Sequence, residues 1–223
     1  MTSSPVTRMD RAYLDIRHRI VTGMCRPGAP LSESALARLV QASRTPIREA
    51  LCRLLEEGYV ERVPGRGFQV ARITVKVVRD TFEVRRLLES TAAARAAEVC
   101  RPSAGRRLRQ LALVPPDNGD PASLRRAALA NERFHLAVAE ASGNALLVDL
   151  VRNCLDQVTR FMAHGTLLRG ASQRATEEHL DVVRAIEKRD AAAAREAMER
   201  HLDECSRDCM QALLQGGEGD IAV

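Results

Sequence analysis

The feature that most restricts the fold is a pair of short amphipathic segments joined by the tripeptide "QAS". The first, "LSESALARLV", sets Leu36, Leu39 and Val40 at helical spacing, with Ser32 placed to cap it. The second, "RTPIREALCRLLEEG", puts Ile47, Ala50, Leu51, Leu54 and Leu55 on one face and ends at Gly58. Ser43 or Thr45 can cap this helix, and Pro46 falls in its first turn, where no intrahelical amide is lost. Two helices so close in sequence predict a helix-turn-helix. Upstream, "RAYLDIRHRIVTGM" adds a helix with Tyr13, Ile16, Ile20 and Val21 on one face. Downstream, "YVERV" and "FQVARI" alternate around "PGRG", which predicts a two-stranded wing with a glycine-rich tip.

Charge falls unevenly along the chain. Residues 1–72 hold 12 Lys+Arg against 7 Asp+Glu, while the remainder holds 22 of each, so the formal net charge of +5 lies wholly in the first third. Such a local excess is the footprint of a polyanion binder. Arg44 and Arg48 crowd the start of the second helix of the pair, where the backbone dipole already disfavours cations. The arrangement makes sense if an anion docks there. In a helix-turn-helix that end enters the major groove, and arginine's planar fork can grip a phosphate or guanine's acceptor edge. Arg66, between Gly65 and Gly67 at the wing tip, can reach a neighbouring minor groove or the backbone. Residues 1–72 are therefore expected to form a winged helix-turn-helix that binds double-stranded DNA.

From residue 73 the pattern is helical throughout, giving a mainly α fold. Aromatic residues make up only 3% of the chain and tryptophan is absent, which disfavours a β-rich alternative. "VKVVRDTFEVRRLLESTAAARAAEVC" is a long amphipathic run with Val78, Phe82, Val84, Leu87 and Leu88 among its apolar positions. After the loop "VPPDNGDPAS", four more segments repeat the i, i+3 or i+4 spacing, and residues 73–214 are expected to form an all-helical bundle of about six helices. Residues 215–223 are expected to be a disordered tail. No run is long and apolar enough to span a membrane, and the N-terminus lacks a signal-peptide core, so a cytoplasmic protein is expected. The six cysteines are scattered without a CxxC pair. Cys205 and Cys209 stand at i, i+4, and core packing is the preferred reading over metal binding or a disulfide.

Of five histidines, His18 and His164 read as surface residues. His135 follows Asn131 at i, i+4, so both share a helix face; His179 and His201 sit on the last two predicted helices. Three imidazoles from three helices can converge on zinc, nickel or iron, with Asn131 adding an amide oxygen. Spacing by itself favours unrelated surface or core histidines.

"SRTPIREAL" followed by "LLEEGYVERVPGRGF" resembles the winged-helix domain of GntR-family transcriptional regulators. "FEVRRLLE", "NERFHLAVAEASGN" and "EEHLDVVRAIEKRDAAAAREAMERHL" resemble the effector domain of its FadR subfamily, called FCD, so the likeness runs from about Arg11 to Leu214. The resemblance implies a homodimeric regulator, usually a repressor, that leaves a pseudo-palindromic operator when a small molecule binds. It implies DNA contacts at Arg44, Thr45, Arg48, Gly65 and Arg66. It implies a divalent metal, zinc or nickel, on Asn131, His135, His179 and His201, coordinating a carboxylic acid effector. It also implies that Arg85 faces the effector, although pairing with Glu89 is an equally good account of that residue. The chain departs from the family at Ser34, where many members carry arginine, and at Gln41, where they carry glycine.

Two rival functions were weighed. A metal-dependent hydrolase using the histidines lacks an HExxH, a nucleophile elbow and an evident general base. A DNA-binding protein without a ligand is the other.

Overall fold

The computed structural model describes residues 7–99, 101–116, 120–163 and 171–215. Cys100, His164 and the tail beyond Gln215 lie outside the described residues. The chain divides into two compact units between Thr74 and Val75.

The first unit contains α1 (Arg8–Val21), β1 (Pro30–Leu31), α2 (Glu33–Leu39), α3 (Arg44–Glu56), β2 (Val60–Val63) and β3 (Gly67–Val70). Thr7 starts α1 with a capping box: its hydroxyl accepts from the Asp10 amide at 3.1 Å, and the Asp10 carboxylate accepts from the Thr7 amide. Ser32 caps α2 by accepting from the Ala35 amide. The apolar faces of α1 and α3 meet, and Ile16, Ile20, Ile47, Leu51 and Leu54 are fully buried with Val70 of β3. The α2 stripe is narrower than its sequence suggests: Leu36 is buried, but Leu39 is exposed. The wing also differs from expectation. It is a three-stranded antiparallel sheet in the order β1-β3-β2, because Pro30 and Leu31 pair with Gln69 and Phe68. Two residues are too few to leave an alternating pattern, so β1 has no sequence signature.

Gln41 sits just past the end of α2 in the left-handed region, with φ of 53°, and the next amide, of Ala42, donates to the Ala37 carbonyl at 2.9 Å. A side chain is strained there, whereas glycine is not. Gln41→Gly is therefore expected to stabilise the first unit by about 0.5–1 kcal/mol in a urea titration. A loss of stability would show that the glutamine side chain supports the turn.

The second unit is built from α4 (Val75–Val99), α5 (Pro102–Leu111), α6 (Pro121–Ala141), α7 (Ala145–Ala163), α8 (Ala171–Glu187) and α9 (Ala191–Gln215). Gln215, assigned above to the tail, closes α9. The long α4 packs against α6, α7, α8 and α9. Its buried Ala92, Ala93, Ala96 and Ala97 leave room for close helix approach. Asp120 caps α6 by accepting from the Ala122 and Ser123 amides. Phe134, Val182, Val183, Ala194 and Met198 form the centre of the main core. Val84 and Leu87 of α4 are exposed, so the inward face of α4 is not its most apolar one. That face carries Arg85 and Glu89, each only 1% exposed. Among the described residues no helix is long and apolar enough to cross a membrane.

Candidate functional site

The start of α3 forms the first candidate surface. Arg44, Thr45 and Arg48 are all exposed, because they occupy the face opposite Ile47, Ala50 and Leu51. Ser43 stands at the N-cap position, yet its side chain makes no capping hydrogen bond, and Thr45 lies inside the helix. The first amides of α3 are thus not claimed by a side-chain cap, and such amides favour an anion. Arg48 approaches Glu33 at 3.8 Å, an exposed pair that is weak in water and readily exchanged for a phosphate. At the wing, Gly65 and Gly67 adopt φ of 72° and 85°, which a side chain would resist, and Arg66 between them is exposed. Arg62 lies over the Phe68 ring at 5.3 Å, adding a further cation to the sheet.

The second candidate lies inside the helical unit. His135 on α6, His179 on α8 and His201 on α9 are all buried, and their donor atoms lie within 4.8 Å of one another. His201 Nε2 is 3.2 Å from His135 Nε2 and 3.2 Å from His179 Nε2. The Phe134 ring stacks on His179 at 3.9 Å and fixes its plane. The opposite nitrogens have their own partners. Glu89 Oε2 lies 2.5 Å from His135 Nδ1, and Glu178 Oε2 lies 2.7 Å from His201 Nδ1. His179 Nδ1 is buried, with the Ala112 backbone facing it too loosely for a good hydrogen bond. Carboxylates on Nδ1 assign the proton to that side and leave the Nε2 lone pairs pointing together.

Lone pairs converging in a buried space repel unless a cation sits between them. One proton cannot serve three nitrogens, whereas a divalent ion can. The donor set therefore fits a metal. Asn131 is half-buried one turn before His135 on α6, and among the described residues its amide makes no hydrogen bond to the three imidazoles.

Charge in this pocket is tightly balanced. Burial would raise the Glu89 carboxyl, but the Arg85 guanidinium and His135 outweigh it and hold it at about 2. Burial pushes His135 down to about 4, against the pull of Glu89. Burial and the neighbouring imidazoles push His179 well below its usual value. Burial would lower His201 too, but Cys205 and Glu178 outweigh it and raise it to about 9. Arg85 Nε donates to Glu89 Oε1 at 2.6 Å, while its Nη2 is buried with no hydrogen-bond partner among the described residues. Both readings of Arg85 thus have support: it is paired with Glu89, and it keeps a donor to spare.

Spacing gave no sign of Glu89 as a partner of His135, 46 residues away, or of Glu178 as a partner of His201, 23 residues away. Cys205 did have a signal, one turn after His201 on α9, and its Sγ lies 3.6 Å from His201 Nε2. Cys209 is buried, consistent with core packing, and His18 is exposed.

A winged helix-turn-helix joined to a helical unit with a polar, imidazole-lined centre defines a class: transcriptional regulators that read DNA with one part and sense a small molecule with the other. Residues 8–70 match the profile of bacterial regulatory proteins of the gntR family, and residues 80–204 match the FCD domain. The chain belongs to the GntR family, with an FCD effector-binding domain, and is a DNA-binding transcriptional regulator, not an enzyme. It is 30% identical over 208 residues to the HTH-type transcriptional repressor RspR of Escherichia coli K12, covering 89% of this chain and 87% of that one. It is 30% identical over 172 residues to the Nta operon transcriptional regulator of Aminobacter aminovorans, covering 76% and 80%. The solved structure of E. coli McbR/YncC shares the fold with a TM-score of 0.73 at 21% identity, over 93% of this chain and 99% of that one. A putatively assigned GntR regulator from Rhodococcus sp. RHA1 aligns with a TM-score of 0.72 at 21% identity, over 92% and 98%.

Proposed function

We propose that this chain is a cytoplasmic, homodimeric repressor that leaves a pseudo-palindromic operator when a small carboxylic acid binds in its helical unit. Residues 1–72 are assigned to DNA binding and residues 73–214 to effector binding and dimerisation. Arg44, Thr45, Arg48, Gly65 and Arg66 contact DNA. Asn131, His135, His179 and His201 hold a divalent ion, zinc or nickel, which when bound supplies a Lewis acid for the effector's carboxylate. Arg85 meets the same carboxylate through its free Nη2.

The observation that carries this reading is the convergence of three buried Nε2 atoms beside a buried guanidinium with an unpaired donor. Exposed Leu87 on α4, with Leu146 and Leu150 on α7, supports association of two copies through the helical units. An effector shifts DNA binding only by its difference in affinity between the two states of the protein.

In mobility shifts on DNA selected from a random pool, Arg44→Ala and Arg48→Ala are each expected to weaken binding by about 1–3 kcal/mol. Unchanged affinity in both would remove these residues from the interface. Adding a panel of carboxylic acids to the metal-loaded protein is expected to release the DNA with at least one of them. Release that persists in His179→Ala would separate the effector from the metal.

A further inference from the structure

We propose that Cys205 is the anionic protein ligand of this metal centre, a thiolate that completes a three-imidazole, one-sulfur set. The inference rests on the metal reading above and concerns which residues form the site. Asn131 brings an oxygen but no charge, so a divalent ion held by it and three neutral imidazoles has no anionic partner among them. The nearby Glu89 carboxylate is already committed to Arg85 and to His135 Nδ1. Glu178 is committed to His201 Nδ1, on the far side of that ring.

Cys205 is one turn after His201 on α9, the spacing at which two side chains of one helix can share an ion. It is a free, half-buried thiol. Its Sγ is 3.6 Å from His201 Nε2, the nitrogen on which the other two imidazoles converge. A tetrahedral zinc with bonds of about 2.0–2.1 Å to nitrogen and 2.3 Å to sulfur separates those two ligand atoms by about 3.6 Å. Sγ also lies 3.9 Å from His201 Nδ1, so it stands over the ring and not along the Nε2 lone pair. Rotation about the single χ1 of cysteine moves it off the ring face. Binding an ion deprotonates the thiol, which then supplies the missing negative charge. The Arg85 guanidinium favours that charge electrostatically. Three imidazoles and a thiolate form a set suited to zinc, which decides between the metals the histidines leave open.

Cobalt(II) is the probe, because it takes zinc's place and absorbs visibly. The full-length protein is loaded with cobalt, its uptake per chain is measured by elemental analysis, and its absorption spectrum is recorded. The expected result is uptake of one cobalt per chain with a sulfur-to-cobalt charge-transfer band in the near ultraviolet. That band is expected to vanish in both Cys205→Ser and Cys205→Ala and to persist in Cys154→Ser. Uptake without the band, or a band that survives both Cys205 replacements, overturns the thiolate while leaving the imidazole centre intact. Absence of uptake by the folded wild-type chain overturns the metal centre and the thiolate with it.

Discussion

Replacing Glu89 with alanine is expected to cost the helical unit about 3–5 kcal/mol, measured as the shift in a urea unfolding curve. Glu89 is 1% exposed and holds two groups at once: Arg85 Nε at 2.6 Å and His135 Nδ1 at 2.5 Å. Its loss leaves the Arg85 guanidinium charged and buried with neither water nor a counter-ion, and deprives His135 of its acceptor. Arginine cannot escape by losing its proton. The double variant Arg85→Met with Glu89→Met removes the uncompensated charge, and is expected to regain much of the loss because a buried pair replaced by apolar groups of similar volume is often neutral. A loss below about 1 kcal/mol for Glu89→Ala would mean that water reaches Arg85, contrary to its burial.

Zinc is expected to raise the stability of the wild-type chain by about 4 kcal/mol at a thousandfold excess over its dissociation constant, because it binds the folded state and not the scattered ligands of the unfolded one. A chelator is expected to reverse the gain. The shift in melting temperature on adding zinc is the readout, and it is expected to disappear in His179→Ala. This variant isolates the site, since His179 has no carboxylate partner and its removal leaves Glu89–His135 and Glu178–His201 in place. Reading the zinc-induced shift, not the absolute melting point, separates the metal effect from the packing lost where Phe134 stacks on His179. An equal shift in both proteins would place the ion elsewhere.

Legibility followed the range of each interaction. Ile16 and Ile20 of α1, and Ile47, Leu51 and Leu54 of α3, announce their burial by helical period, and all are buried. The same period misleads at Leu39, Val84 and Leu87, which are exposed, because periodicity marks an apolar stripe without saying how wide a stripe the neighbours cover. β1 is invisible for another reason: its two residues are a strand only because β3 is beside them. At the imidazole site the histidines were legible as candidates, but their carboxylate partners, on other helices, were not.

The amino-acid order by itself determined the helical periods, the caps at Thr7, Ser32 and Asp120, and the basic excess in the first third, because each depends on residues a few positions apart. Only the tertiary structure decided that Glu89 faces His135, that Glu178 faces His201, and that three Nε2 atoms point at one another. Those relations join residues on different helices, and burial makes them matter: without water to solvate them, every charge and lone pair at that centre must find its partner in the protein or in an ion it binds.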